Sequence, residues 1–214
     1  MLNWDYFLEA PVSLGLLGLT VIVSLLAFWK EEIQDKMVLV PYDMWTYREY
    51  WRLFSSGLIH GNVPHLFFNT VTLLFFGSML EHRLGHWQLG VLYLAALLLS
   101  NVAVSLRYGR DSGYEGTLGA SGAISAVVLG VVVLNPFLRF GFPLISDLWP
   151  ILTAPAWIVG LVYLLYSGIS LFVPNPMKIN HHAHLSGAIS GVLLTILLKP
   201  QATEILGQLV AMWH

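Results

Sequence analysis

The chain has 214 residues, of which 57% are hydrophobic and only 10% are charged. An ordinary soluble domain has about 25% charged residues, so these residues are too few to solvate the surface of a soluble enzyme. Disorder is excluded as well, because it requires low hydrophobicity. The net charge of −2 gives no basic field for nucleic acid, and the lack of cysteine excludes a thiol nucleophile. The composition predicts an integral membrane protein whose partner is the lipid bilayer.

Six apolar segments approach the length of about 20 residues that a helix needs to cross a bilayer. In chain order they are about 11–29, 64–80, 87–106, 119–136, 155–173 and 183–198. The second and the last are short for a full span, which is typical of helices that line a cavity. The sequence therefore predicts one all-α transmembrane domain over 1–214, with its core at about 11–198 and a short tail at 199–214. Apolar residues at helical spacing predict a surface helix at 203–213.

Residues 30–63, between the first two segments, are too polar to span a membrane. They contain four aromatic side chains of the kind that lie at headgroup level, namely Trp45, Tyr47, Tyr50 and Trp51. We expect this stretch to form a loop in the membrane interface.

The basic residues conflict with the usual rule for orientation. With the amino terminus in the cytoplasm, that side collects Arg83, Arg139 and Lys199. The opposite side collects Lys30, Lys36, Arg48, Arg52, Arg107, Arg110 and Lys178. Three positive charges against seven reverse the positive-inside rule.

The fourth segment opens with Gly119-Ala120-Ser121-Gly122. Glycines on both sides of Ser121 let a substrate or a second backbone approach closely. At the start of a helix, the Ser121 N–H is free to face an anion, which suits a nucleophile whose attack creates an oxyanion. The alternative is helix packing, because Gly122, Ala126 and Gly130 form a stripe of small residues.

The sixth segment begins with a histidine in Ala183-His184-Leu185-Ser186-Gly187. His184 can take a proton from Ser121 as a general base. Gly187 and Gly191 form a second small-residue stripe, which can pack against the first and bring the two helices together. Two alternatives stay open: a structural histidine, and a metal site built from His181, His182 and His184.

His65 and Asn69 lie four residues apart in the second segment and so share one helix face. Both side chains can donate hydrogen bonds into a cavity, as a tetrahedral intermediate requires. The alternatives are a hydrogen-bonded pair between helices and a polar path through His65, Asn69 and His184 in a transporter. A transporter does not explain the glycines around Ser121. Together the residues predict a Ser-His dyad without a carboxylate.

These motifs, in this order, resemble those of the rhomboid family of intramembrane serine proteases. Trp51-Arg52 is similar to the family's WR motif, and His65 to Asn69 to its HxxxN motif. Three further stretches resemble the ExRxG, GxSG and AHxxG motifs: Glu81 to Gly85, Gly119 to Gly122 and Ala183 to Gly187. The resemblance covers about residues 15–198. It implies a six-helix bundle of the bacterial type with a membrane-embedded first loop, in which Trp51-Arg52 and the Glu81/Arg83 pair are structural.

The resemblance also implies an activity. Ser121 would be the nucleophile and His184 the general base, with no cofactor or metal. The side chains of His65 and Asn69 and the Ser121 backbone N–H would form the oxyanion hole. Gly119 and Gly122 would lie against the substrate, a transmembrane protein. The resemblance places the protein in the cell membrane, with the cavity open to the extracytoplasmic side. The alternative is a non-proteolytic rhomboid-fold binder of transmembrane helices.

One position departs from the family pattern. Many rhomboids carry an aromatic residue four positions after the nucleophile, where it stacks on the catalytic histidine. The residue here is Ser125. We expect His184 to be held less firmly, or by Ser125 itself.

Overall fold

The computed structural model describes residues 4–141, 153–173 and 179–211, which are mostly helical. The helices are α1 (Trp4–Leu8), α2 (Pro11–Trp29), α3 (Glu31–Met37), α4 (Pro41–Tyr47), α5 (Arg52–Ser55), α6 (Val63–Leu84), α7 (His86–Tyr108), α8 (Ser121–Leu134), α9 (Ala156–Ile169), α10 (His181–Leu198) and α11 (Ala202–Ala211). A 3₁₀ turn, Ser56–Leu58, follows α5, and α6 contains a π-helical turn at Leu73–Gly77. Two short antiparallel strands, β1 (Arg139–Phe140) and β2 (Ala154–Pro155), pair with each other.

Within the described residues, four helices are long and apolar enough to cross a membrane: α2, α6, α7 and α10. The apolar helices α8 and α9 have 14 residues each, which is about 21 Å at the rise of an α-helix. The structure therefore confirms an all-α membrane protein. The count of six spans stays a prediction. The tail helix is α11, which begins one residue earlier than expected.

Helix α8 lies at the centre of the core and is buried along nearly its whole length. Its glycine-containing face contacts α10 directly. A Cβ atom placed on Gly187 would collide with the carbonyl oxygen of Gly122, and one on Gly191 with that of Ala126. The two backbones touch because small residues meet on both helices, so the predicted packing of the stripes is confirmed.

Glu81 ties the end of α6 to the start of α2. Its carboxylate is 1% exposed and accepts hydrogen bonds from the backbone N–H groups of Val12 (3.0 Å) and Ser13 (2.8 Å). These groups lack partners within the first turn of α2, and a negative charge is stabilised there. His86 Nδ1 lies 2.6 Å from the same carboxylate. Glu81 therefore has a structural role, as the resemblance implies.

Residues 30–62 are more ordered than the predicted loop, because they contain α3, α4, α5 and the 3₁₀ turn. Arg52 holds this segment together. Its Nη1 donates to the carbonyl oxygens of Asp35 (2.7 Å) and Val38 (2.8 Å), and its Nε donates to Glu49 (2.5 Å). The interface-loop prediction missed these helices because they are too short and polar to show apolar periodicity.

Candidate active site

A cavity of about 850 Å³ opens between the amino-terminal ends of α6, α8 and α10. Ser121, His184, His65 and Asn69 all line it. The first-loop residues Gln34, Asp35, Val38, Gly61 and Asn62 complete part of its wall. The four side chains that the sequence singled out on three separate segments are therefore brought to one cavity.

Ser121 is the first residue of α8, so its backbone N–H has no partner within the helix. Gly119, two residues earlier, has a φ of +107°, which favours glycine. A Cβ atom on Gly119 would lie 2.7 Å from His65 Cε1 and 3.0 Å from His65 Nε2. The Gly119 N–H donates to the carbonyl oxygen of Ser56 (2.8 Å). Gly119 is thus a glycine because the His65 imidazole packs directly on its backbone.

Gly122 is buried away from the cavity wall. A Cβ atom there would lie 2.7 Å from Ser100 Cβ on α7 and 3.2 Å from the carbonyl oxygen of Ala183 on α10. Neither Gly119 nor Gly122 is among the residues that line the cavity. The structure gives both glycines packing roles, and their contact with substrate stays a prediction.

His184 lies in the first turn of α10, where its N–H donates to the carbonyl oxygen of Asn180 (3.1 Å). Within the part of the chain that the structure describes, no hydrogen bond joins His184 to Ser121 or to Ser125. Ser125 Oγ instead donates to the carbonyl oxygen of Ser121 (2.8 Å) and lies 2.6 Å from the Tyr163 hydroxyl on α9. Ser125 therefore links α8 to α9 and does not hold His184.

Asn69 presents an unused hydrogen-bond donor. The residue is 8% exposed, and its Nδ2 has no partner among the described residues. Leaving a buried donor unpaired costs about 1–3 kcal/mol, so such groups in native proteins call for an explanation. Asn69 also lines the cavity, so this unpaired amide belongs to the cavity wall.

His65 is held from two sides. Asn62 Oδ1 accepts a hydrogen bond from the His65 N–H (2.8 Å) and so caps α6. The His60 ring meets the His65 ring edge-on, at 4.8 Å between centroids. His60 is fully buried and lies 3.0 Å from Ser24 Oγ through its Nδ1. His60 is thus structural and forms one wall for the His65 imidazole.

The three histidines of the alternative metal site diverge. The His181 and His184 ring centroids are 6.2 Å apart, and the His182 ring packs edge-on against Tyr108 at 5.4 Å. Over 4–141, 153–173 and 179–211, no three His, Cys, Asp or Glu side chains are grouped so that they could hold a metal ion.

Residues 47–201 match the Rhomboid domain family. The chain belongs to the rhomboid family. It is 31% identical to RHOMBOID-like protein 4 of Arabidopsis thaliana over 71% of this chain and 35% of that protein. It is 27% identical to Rhomboid protease GlpG of Photorhabdus laumondii over 91% of this chain and 64% of that one. It is also 29% identical to Inactive rhomboid-related protein 2 of Caenorhabditis elegans over 70% and 41%. The chain thus spans between about one third and two thirds of the length of these relatives.

Two residues beside the site of this rhomboid were not predicted from the sequence. Asn180 caps α10, and an asparagine just before a helix is a recognisable capping signal. Tyr163, on α9, contacts Ser125 from 38 residues away. No local sequence pattern predicts such a contact.

Proposed function

We propose that this rhomboid is an intramembrane serine endopeptidase that hydrolyses peptide bonds in or near the transmembrane segments of membrane proteins. The convergence of Ser121, His184, His65 and Asn69 on one cavity carries the proposal. The unpaired Asn69 amide supports it, because a hydrolase of this kind needs a free donor at the reacting carbonyl. One relative is named a protease.

In the first half of the reaction, Ser121 Oγ attacks the carbonyl carbon of the scissile bond while His184 takes the serine proton. The carbonyl oxygen becomes negatively charged. It is stabilised by the Ser121 N–H and by donors on His65 and Asn69. The carbon–nitrogen bond then breaks, and His184 returns the proton to the leaving amine. The product is an ester between the Ser121 oxygen and the amino-terminal part of the substrate.

In the second half, water attacks the ester carbonyl while His184 takes a proton from it. The carbon–oxygen bond to Ser121 breaks, and His184 gives the proton back to the serine. The cavity, of about 850 Å³, has room for this water. Since hydrogen bonds between catalytic groups are often long before substrate binds, the missing Ser121–His184 bond is compatible with this role.

The substrate must present an accessible carbonyl. An intact helix hides its carbonyl groups in hydrogen bonds, so the cleaved stretch has to be locally unwound. We place six spans, α8 and α9 included, in the cell membrane of a bacterium, with the cavity facing the extracytoplasmic side. Residues 1–214 form one domain in this proposal.

A second candidate is a non-proteolytic binder of transmembrane helices. One relative is named inactive, which favours this candidate, and so does the absence of a Ser121–His184 hydrogen bond among the described residues. A binder needs the cavity but not the nucleophile.

The deciding experiment compares wild type with Ser121→Ala and His184→Ala on a generic transmembrane reporter in detergent, with and without a metal chelator. We expect cleavage by wild type alone, unchanged by the chelator, and labelling of Ser121 by a fluorophosphonate. If wild type neither cleaves nor is labelled, the binder is the better description. Cleavage that the chelator abolishes would contradict the serine mechanism.

A further inference from the structure

Asn180 contacts both the turn that carries His184 and the stretch of chain that leads to Ser121. It lies half-buried at the amino-terminal end of α10, in the wall of the active-site cavity. It also lines a second cavity, of about 500 Å³, whose described lining lies within residues 108–116, 170–173 and 179–182. It is therefore placed where the first turn of α10 meets the stretch that leads to Ser121.

On one side, Asn180 organises the turn that carries His184. Its Oδ1 accepts a hydrogen bond from the Ala183 N–H (3.1 Å), and its carbonyl oxygen accepts one from the His184 N–H (3.1 Å). This is an ordinary helix cap, and Asn62 makes the same kind of cap for α6. A cap by itself stabilises the helix and says nothing about its position relative to α8.

On the other side, the Asn180 amide nitrogen donates to Thr117 Oγ1 (2.9 Å) and to the Tyr114 hydroxyl (3.2 Å). Thr117 lies four residues before Ser121 and is itself fixed. Its backbone exchanges two hydrogen bonds with Leu39, of 2.8 and 3.0 Å. The Tyr114 ring stacks on Tyr108 at 4.1 Å between centroids. Asn180 therefore joins α10 to a segment that is rigidly held.

The position of His184 relative to Ser121 depends on such indirect contacts, because the two are not bonded to each other. Gly187 on α10 packs against Gly122 on α8 and sets how closely the two helices approach. The carbonyl oxygen of Ala183, next to His184, also packs on Gly122, 3.2 Å from where a Cβ atom would lie. These van der Waals contacts set the spacing of the two helices. The Asn180 amide adds directional hydrogen bonds to Thr117 and Tyr114, on the amino-terminal side of His184.

We infer that Asn180 is a positioning residue of the proposed protease, which holds the His184 turn in register with the Ser121 loop through its bonds to Thr117 and Tyr114. The inference rests on the proposed function. It assigns the two ends of one amide to different tasks: the oxygen caps α10, and the nitrogen sets the geometry between the base and the nucleophile.

The test separates these tasks. Asn180→Ser keeps a good capping oxygen but is too short to reach Thr117, and Thr117→Val removes the acceptor while keeping the shape. Because a hydrogen bond contributes roughly one power of ten to an equilibrium or a rate, we expect each variant to lower kcat about tenfold. KM should stay near the wild-type value, Tm should fall by only the few degrees that such hydrogen bonds contribute, and labelling of Ser121 by a fluorophosphonate should slow in parallel with kcat. The double variant should be no slower than Asn180→Ser alone, since Asn180→Ser already breaks the bond that Thr117→Val removes. Asn180→Ala should lower Tm further.

Asn135→Ser is the matched control, because the Asn135 side chain donates a long bond (3.3 Å) to the carbonyl oxygen of Val131 at the far end of α8. We expect it to keep wild-type kcat. Wild-type kcat in Asn180→Ser, or additive losses in the double variant, would overturn the inference while leaving the protease intact. A wild-type protein that cleaves no substrate and resists labelling would overturn the proposed function first, and the role of Asn180 with it.

Discussion

At the scale of single residues, the cavity combines groups that the fold leaves unsatisfied with groups that it packs tightly. Asn69 Nδ2 is buried without a partner among the described residues, whereas Gly119 leaves no space for a side chain beside His65. Folding stability alone would favour a hydrogen-bond partner for the Asn69 amide, because an unpaired buried amide is costly. The two positions therefore respond differently to substitution.

Asn69→Leu should separate activity from stability. The change removes a donor from the proposed oxyanion hole, which typically lowers kcat by about 10²–10³-fold. It also removes an unpaired buried polar group of similar size, so Tm should stay the same or rise. Steady-state kinetics and thermal unfolding in the same detergent check both expectations.

Thr195→Val is the matched control for this prediction. Thr195 is fully buried, and its hydroxyl also lacks a partner among the described residues, but it lies in the last turn of α10, outside the cavity. We expect an equal or higher Tm with unchanged kcat. A large drop in Tm for Asn69→Leu would show that Asn69 is structural and contradict its proposed role.

Gly119→Ala should lower activity and stability together. Alanine is strained at a φ of +107°, which costs about 1–3 kcal/mol, and its methyl group would lie 2.7 Å from the His65 ring. We expect loss of most activity and a fall in Tm of about 2–4 °C per kcal/mol.

The control for Gly119→Ala is Gly18→Ala, within α2, where a Cβ atom has no neighbour within 4 Å. Alanine is a better helix former than glycine, so this variant should have full activity and equal or higher Tm. An active, stable Gly119→Ala variant would mean that the loop before Ser121 adapts freely, against the packing described above.

At the scale of helices, a contact could be predicted from the sequence only where the residues that make it form a recognisable pattern. The α8–α10 interface could be predicted because only small residues allow two backbones to touch, and both stripes are visible in the sequence. The four cavity side chains could be placed together because their motifs are local. The link from Ser125 to Tyr163 could not, because it joins single residues on separate helices without any periodic pattern.

A larger side chain at position 125 should be compensated by a smaller one at position 163. Ser125 is 5% exposed and its hydroxyl lies 2.6 Å from that of Tyr163, so an aromatic ring at position 125 needs space that Tyr163 occupies. Overpacking of this kind costs about 1–3 kcal/mol. We expect Ser125→Phe to lower Tm and the double variant Ser125→Phe/Tyr163→Ala to recover most of the loss.

The control pairs Ser125→Phe with Leu165→Ala, because Leu165 lies on the same helix but is 55% exposed. This double variant should not recover Tm. Additive effects of Ser125→Phe and Tyr163→Ala, within about 0.3–0.5 kcal/mol, would show that the two sites do not share one space.

At the scale of the whole molecule, the count of basic residues predicts one orientation in the membrane, and the proposed extracytoplasmic cavity requires the opposite one. The cavity lies at the end of the bundle that carries six of the nine basic residues that the structure describes. Lys199 Nζ donates to the Arg83 carbonyl oxygen, so these two basic residues share the opposite end. The positive-inside rule concerns short connecting loops. Residues 30–62 instead form a folded segment, in which Arg52 is bonded to Glu49 and two carbonyl oxygens.

We therefore expect the cavity to face the outside of the cell membrane, and the absence of cysteine makes this directly measurable. Ser112→Cys places one thiol in the exposed stretch before Ser121, and Thr203→Cys places one at the exposed start of α11. In intact cells, a membrane-impermeant maleimide should label the first variant only, and permeabilised cells should show labelling of both. The reverse pattern would mean that the charge count governs insertion. The substrate carbonyl would then reach Ser121 from the cytoplasmic side, with the same chemistry at the opposite face of the membrane.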